Sequence, residues 1–392
     1  MGGFSDNAKI LVVHCVDTEG PIGGDVRRHP DGSKEFMDNW EEIKSSLNDI
    51  TNDEYRMEAC DSYGNPLMFN WFIMDFTGFK TNPKNRVATY NDTYDNIKSL
   101  NTQVDSFHWH YHQPPKSGNG DQWSDDWDSS LEHYNILGSR LLDRQDFPEV
   151  FRAGGTVEDD TCSGWLENNL MIDYSNRVSH RSEYTENIND FNWYGAPSHW
   201  GYYHPSRENL LEPGMMRRYV VRCVDLRSRL HDLQRWEVEE AFKISIELNK
   251  PVILSYFSHD HRDMRPETQY AIELIKSVSE ECGVPFEWSD AKNALQESAG
   301  LRPTIIEIGF ENKDDNMLMI TFKDMIYQKN PFVYTRDAAS NIQYHKLDLE
   351  YIPNCPYYLA RTYLKIDPSF VQVGVACTSM SGDKSIKIMD LK

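Results

Sequence analysis

The chain is 392 residues long, which excludes one small domain and suits a large barrel with a small module, or two to three ordinary domains. Its 62 acidic residues against 40 basic ones give a formal net charge of −22, a field that repels polyanions and argues against nucleic acid as a partner. With 39% hydrophobic, 12% aromatic and 26% charged residues, the chain can bury a sizeable core, which excludes disordered and fibrous classes.

In chain order, the first apolar run is 10–13. It is too short for a membrane span or a signal-peptide core, so it reads as part of a buried strand over 9–16, and no membrane insertion is expected. Further strands are predicted over 67–74, 104–109, 149–152, 219–224 and 252–257, several rich in β-branched or aromatic residues. Helices are predicted over 39–49, 129–142, 230–249 and 266–281; in the third, Val238, Phe242 and Ile246 mark an apolar stripe, and Gly283 stops the fourth. Strands alternating with helices over 9–298 are the pattern of a parallel α/β barrel. From about 301 the pattern changes to short alternating runs at 304–308, 318–322, 332–335, 344–349, 360–366 and 370–376, separated by Asn, Asp, Pro and Gly. Residues 301–392 therefore read as a separate antiparallel β module, a sandwich. The seven cysteines, at 15, 60, 162, 223, 282, 355 and 377, are odd in number and contain no Cys-x-x-Cys pair. That usage suits a reducing, cytoplasmic compartment.

Three strand ends carry chemistry. Asp17 and Glu19 close the first strand, where parallel barrels keep their active sites; the alternative is a capped turn. Phe107 is followed by His108, His110 and His112, a density of imidazoles that points to a zinc-type ion, with loop histidines stacked among tryptophans as the alternative. If the strand ends at His108 and a helical turn follows, His108 and His112 converge and His110 points elsewhere. The strand over 252–257 leads into His259 and His261. Arg152 ends another strand and either orients a carboxylate or forms a structural ion pair. Trp109, Trp123, Trp127, Trp193 and Trp200 suit sugar stacking or core packing, and Arg217, Arg218, Arg222, Arg227 and Arg229 suit a diphosphate or a solvated face.

Taken in order, these segments resemble the polysaccharide deacetylase family with its NodB-homology domain. The acidic motif is matched by Val16-Asp17-Thr18-Glu19-Gly20 and the family's His-Ser/Thr-x-x-His metal motif by the spacing of His108 to His112. Phe151-Arg152-Ala153-Gly154-Gly155 looks like its Arg-x-Pro loop, Asp173-Tyr174-Ser175 like its Asp-Tyr-x-Ser stretch, Asp190–Trp193 like its fourth motif and Ser258-His259 like its final histidine motif. The likeness covers 9 to about 298. Asp-x-Glu stands where the family has adjacent aspartates, and Trp109 where it has a small hydroxyl residue, which leaves the division of labour between Asp17 and Glu19 open. The resemblance implies a distorted (β/α)7-type barrel holding one divalent metal, expected to be Zn²⁺, and removal of an N-acyl group, acetyl or formyl, from an amino sugar. It further implies metal ligands Glu19, His108 and His112, Asp17 as base, Arg152 orienting that base, and His259 as acid. A carbohydrate is then the partner, and a homo-oligomer remains open. The rival readings are a silent carbohydrate-binding barrel and a metal-independent glycosidase using Asp17 and Glu19.

Overall fold

Residues 10–18 are all withdrawn from water, and an apolar strand covered on both faces belongs at the centre of a parallel sheet. In the computed structural model this segment is β1 (Lys9–Thr18). The structure describes residues 7–23, 36–86, 90–120, 122, 127–128, 131–178, 193–226, 233–314, 316–353, 355 and 358–391. On one side of β1 follow β2 (Asn70–Asp75), β3 (Ser106–Tyr111), β4 (Val150–Ala153) and β5 (Ile172–Asn176), all parallel. Antiparallel β6 (Tyr202–Tyr203) lies outside β7 (Tyr219–Arg222), which pairs with β5. On the other side of β1 the short β8 (Val224–Asp225) pairs with β9 (Pro251–His259), and β9 pairs with β1 along its length. Strand β10 (Phe286–Trp288) covers the N-terminal part of β1 that β2 leaves open. The parallel strands form a curled, half-barrel sheet, and only Cys223 separates β7 on one flank from β8 on the other.

Helices cover the outside. In chain order they are α1 (Trp40–Thr51), α2 (Asp53–Glu58), α3 (Tyr90–Lys98), α4 (Glu132–Arg144), α5 (Asp160–Asn169), α6 (Arg235–Leu248), α7 (Arg265–Cys282) and α8 (Ala291–Ala299). Local chemistry sets several ends: the Asn39 side chain accepts from the amide of Glu42 to start α1, and Gly283 at φ +65° stops α7. Each of the four helices expected from the sequence has a counterpart, in α1, α4, α6 and α7.

The C-terminal residues form two antiparallel sheets. One contains β11 (Glu307–Asp314), β12 (Met317–Lys323), β15 (Glu350–Tyr351) and β16 (Leu359–Lys365). The other contains β13 (Phe332–Asp337), β14 (Ile342–His345), β17 (Phe370–Thr378) and β18 (Lys384–Asp390). Between them lies a core that includes Leu318, Ile320, Phe322, Val333, Val373 and Val375. This β unit also shares apolar surface with the first: Phe332, Tyr334 and Ala376 pack in one cluster with Leu137 and Leu141 of α4. The approach is close, since a Cβ on Gly138 would stand 2.7 Å from the Tyr334 ring. Polar ties add to it, with Lys292 reaching Asp383 at 3.0 Å and Lys384 reaching Asp146 at 2.6 Å.

Candidate metal centre

Strand β3 stays extended two residues beyond Trp109, because His110 and Tyr111 pair with Met74 and Asp75 of β2 and His110 also with Arg152 of β4. Alternate residues of an extended chain share a face. His108, His110 and His112 therefore form a column along the sheet, and the two at its C-terminal end meet: their Nε2 atoms lie 3.0 Å apart. Glu19, just beyond β1, brings Oε1 to 3.5 Å from His112 Nε2 and 4.0 Å from His110 Nε2. Ligand atoms at about 2.0–2.1 Å from a tetrahedral ion stand roughly 3.3–3.4 Å from one another. Two imidazoles and one carboxylate at this spacing, all buried, can hold a metal ion and leave coordination positions for water or substrate.

The surroundings orient each ligand. His110 donates from Nδ1 to the Arg152 carbonyl at 3.1 Å, which leaves the Nε2 lone pair facing the centre. The His112 ring lies against Gly154, where a Cβ would come within 2.3 Å of its Cγ. The backbone of Glu19 is clamped by Asp260, whose carboxylate accepts from the Glu19 amide at 2.9 Å and the Gly20 amide at 3.0 Å, with Gly20 at φ +69°. Arg86 takes the far oxygen of Glu19, with Nη1 2.5 Å from Oε2, so Oε1 is the atom turned to the histidines.

Charge states match those needed for ligation. Burial alone opposes ionisation of Glu19, but Arg86 and then His112 outweigh it and hold the carboxyl well below its usual range. Burial lowers His110 to about 4 and lowers His112 against the pull of Glu19, so both imidazoles are neutral at pH 7. Burial pushes Asp260 up to about 7 against the two backbone amides it accepts from.

Asp17 stands beside this group. Its Oδ1 accepts from Arg152 Nε at 2.6 Å and lies 3.8 Å from His110 Nδ1, and its Oδ2 lies 4.0 Å from His259 Nε2. Arg152 is held in turn by the Tyr174 carbonyl at 2.5 Å and by the face of Phe257, 3.7 Å from its guanidinium carbon. His259 accepts at Nδ1 from Arg262 Nη2 at 2.8 Å, so its Nε2–H faces Asp17; burial, then Arg262, keeps it neutral. His261 packs edge-on to Phe36, and burial pushes it down to about 3.

The structure thus brings together Glu19, His112, Asp17, Arg152 and His259 of the residues expected from the sequence, but not His108. The helical turn that would have joined His108 to His112 does not form. His108 sits lower in the column, with Nε2 3.0 Å from Ser106 Oγ, 3.3 Å from Asn70 Oδ1 and 3.4 Å from Asp290 Oδ2, and His110 takes the place expected for it. Sequence reasoning also missed Arg86 and Asp260. Asp260 had a signal, an acid between two histidines at a strand end; Arg86, in a Pro- and Asn-containing loop, had none. Of the arginines of the basic stretch, Arg218 and Arg222 are buried in ion pairs while Arg217 is exposed, as a solvated face requires. Arg218 is buried between Glu158 and Asp173, Arg222 pairs with buried Glu237 and Arg217 with Glu167, while Arg227 and Arg229 lie outside the described residues. Trp109, Trp127, Trp193 and Trp200 are buried in the core. Trp123 and all of the Asp190–Trp193 match except Trp193 lie outside the described residues.

No family model matches the chain, and no curated protein does. Among solved structures, the crystal structure of bovine butyrophilin is similar at 11% identity, covering 28% of this chain and 47% of that one at a TM-score of 0.17. The chain therefore spans about half the length of that structure, and a likeness this low carries no argument about fold or activity. Among the described residues no helix is long and apolar enough to cross a membrane.

Proposed function

We propose that the chain is a metal-dependent hydrolase that removes an N-acyl group, acetyl or formyl, from an amino sugar, free or carried on a lipid or nucleotide. The observation that carries this reading is the buried group of Glu19, His110 and His112 with the Arg152-bound carboxylate of Asp17 at its side. A Zn²⁺-class ion held there supplies Lewis acidity toward the acyl oxygen and toward a water. The chain's own residues do the rest. Asp17, held in place by Arg152, accepts the proton of the attacking water as a C–O bond forms. The same proton then passes to the amide nitrogen as the C–N bond breaks, giving the free acid and the amine. His259, neutral and with Nε2–H turned inward, acts as a hydrogen-bond donor beside Asp17 rather than as the proton source first expected.

The distorted (β/α)7-type barrel of the polysaccharide deacetylase family would accommodate the sheet: counting the stretch through Cys223 as one strand and setting aside the short β10, which covers one end of β1, leaves seven parallel strands. Seven free cysteines support a reducing, cytoplasmic setting. The glycosidase alternative needs one carboxylic acid that is protonated near neutral pH, and Glu19, held ionised by Arg86 and His112, suits that task poorly.

The test is a metal-replete full chain screened against N-acylated sugars, sugar phosphates and nucleotide sugars for released acid. Turnover is expected to vanish on chelation, return with Zn²⁺, and fall about 10² to 10⁴-fold in Asp17→Asn. Turnover that survives complete metal removal would overturn the reading.

A further inference from the structure

The turn that leads from β9 into α7 is anchored at several points. Asp260 accepts from the amides of Glu19 and Gly20, the His261 carbonyl accepts from the Met37 amide at 2.8 Å, Asp263 Oδ1 accepts from the Arg265 amide at 3.1 Å, and Met264 is buried. Between these anchors stands Arg262, partly buried, with Nη2 2.8 Å from His259 Nδ1. It makes no ion pair among the described residues, and its buried Nε has no acceptor among them. Its one hydrogen-bond partner among the described side chains is therefore the imidazole that faces Asp17.

A guanidinium offers donors and no lone pair, so Nδ1 of His259 is the acceptor and the ring proton sits on Nε2. The sign of the partner matters as much as its donors. A carboxylate or carbonyl on Nδ1 fixes the opposite tautomer, frees Nε2 as a base and, if charged, stabilises the imidazolium. A permanently charged guanidinium does the reverse. The ring is also held in place, edge-on to Phe257 at 5.7 Å and tilted against His261 at 5.1 Å. Its Nε2 stands 4.0 Å from Asp17 Oδ2, too far for a direct hydrogen bond, so the N–H enters the centre without being spent on that carboxylate. Burial, then Arg262, His261 and His110, hold the imidazole neutral against the pull of Glu19.

We propose that Arg262 is a positioning residue of the reaction: by donating to Nδ1 of His259 it fixes that ring as a donor through Nε2–H toward the reacting group and bars it from carrying the proton, which leaves Asp17 to do so. The inference rests on the hydrolase reading for the reaction, but not for the state of the ring.

Nitrogen-15 spectra of the Zn²⁺-loaded full chain, with the ring signals assigned by their loss in His259→Gln, report which nitrogen is protonated, and turnover is followed on the same samples. The native ring is expected to carry its proton on Nε2 and to stay unchanged from about pH 5 to 8. Arg262→Lys, which keeps a cationic donor, should keep the tautomer and most of the turnover. Arg262→Glu, which offers an acceptor instead, should shift the proton to Nδ1 or charge the ring, and lower kcat about 10 to 100-fold with KM changed less and metal content by elemental analysis unchanged. A native ring protonated on Nδ1, or an Arg262→Glu chain in which either the tautomer or kcat is as before, overturns the proposal, as does an equal loss of kcat in Arg262→Lys and Arg262→Glu. A ring in the expected state that Arg262→Glu alters, in a chain that releases no acid from any N-acylated sugar, would refute the hydrolase reading and leave the hold of Arg262 on His259 standing.

Discussion

Replacing Gly154 by Ala tests the metal centre without touching a ligand. The new Cβ would stand 2.3 Å from Cγ, 2.5 Å from Cδ2 and 2.7 Å from Nδ1 of His112, whereas ordinary contact begins at 3.4 Å, so the ring must retreat by about 1.1 Å. Metal–ligand bonds tolerate roughly 0.2 Å. The substitution should therefore remove His112 from the ligand set almost as completely as His112→Ala, and metal affinity should fall at least 100-fold, beyond the roughly 10 to 100-fold that follows loss of an outer-shell partner. The fold should survive, because Gly154 is not at a positive φ and overpacking costs about 1–3 kcal/mol. Competition against a chromophoric chelator gives the affinity, and thermal unfolding of the metal-free chain gives the stability. Unchanged affinity in Gly154→Ala, with His112→Ala defective, would refute the packing argument; unchanged affinity in both would remove His112 as a ligand.

Elemental analysis should show that His110→Ala and His112→Ala lose the metal while His108→Ala keeps it, the reverse of what the family spacing implies for His108 and His110. Asp260→Ala should weaken metal binding about 10 to 100-fold by freeing the amides of Glu19 and Gly20, with partial recovery in Asp260→Asn, which retains one acceptor oxygen; titration with Zn²⁺ checks both. Asp146 joins the two units through Lys384, and although burial opposes its ionisation, Arg140 and Lys384 bring its carboxyl from 3.8 to about 2. A depressed carboxyl stabilises the fold fully above about pH 4 and loses that contribution as pH falls toward 2. Asp146→Asn should therefore cost about 2 kcal/mol at pH 7 and progressively less in denaturant melts below pH 4.

Much of the centre was legible because parallel strands deliver their C-terminal ends to one face. Asp17, Glu19, Arg152 and His259 could be placed from apolar runs followed by polar residues. The histidine register could not. Whether the chain turns or stays extended after Trp109 depends on hydrogen bonds to Met74, Asp75 and Arg152, from strands remote in sequence, and a period of two instead of 3.6 exchanges His108 for His110. Arg86 was invisible for a related reason, since nothing local ties it to a carboxylate 67 residues earlier. The β unit was read correctly as strands, but its attachment was not: alternation in β13 and β17 reveals that a face is buried and does not say that Tyr334 meets α4.

The placement of β1 has a consequence for how the protein is made. β1 is synthesised before the strands that flank it, and Lys9 pairs with Pro251 and Ile10 with Phe286. At about 5–20 residues per second, a nascent chain carries that strand with unfilled edges for roughly 15 to 55 seconds before β10 leaves the ribosome. Such an edge is a template for pairing with other chains. Recovery of native protein from translation should therefore depend on a holding chaperone acting on the emerging β1 segment, and should improve when elongation is followed by slow, dilute folding rather than by crowding of half-made chains.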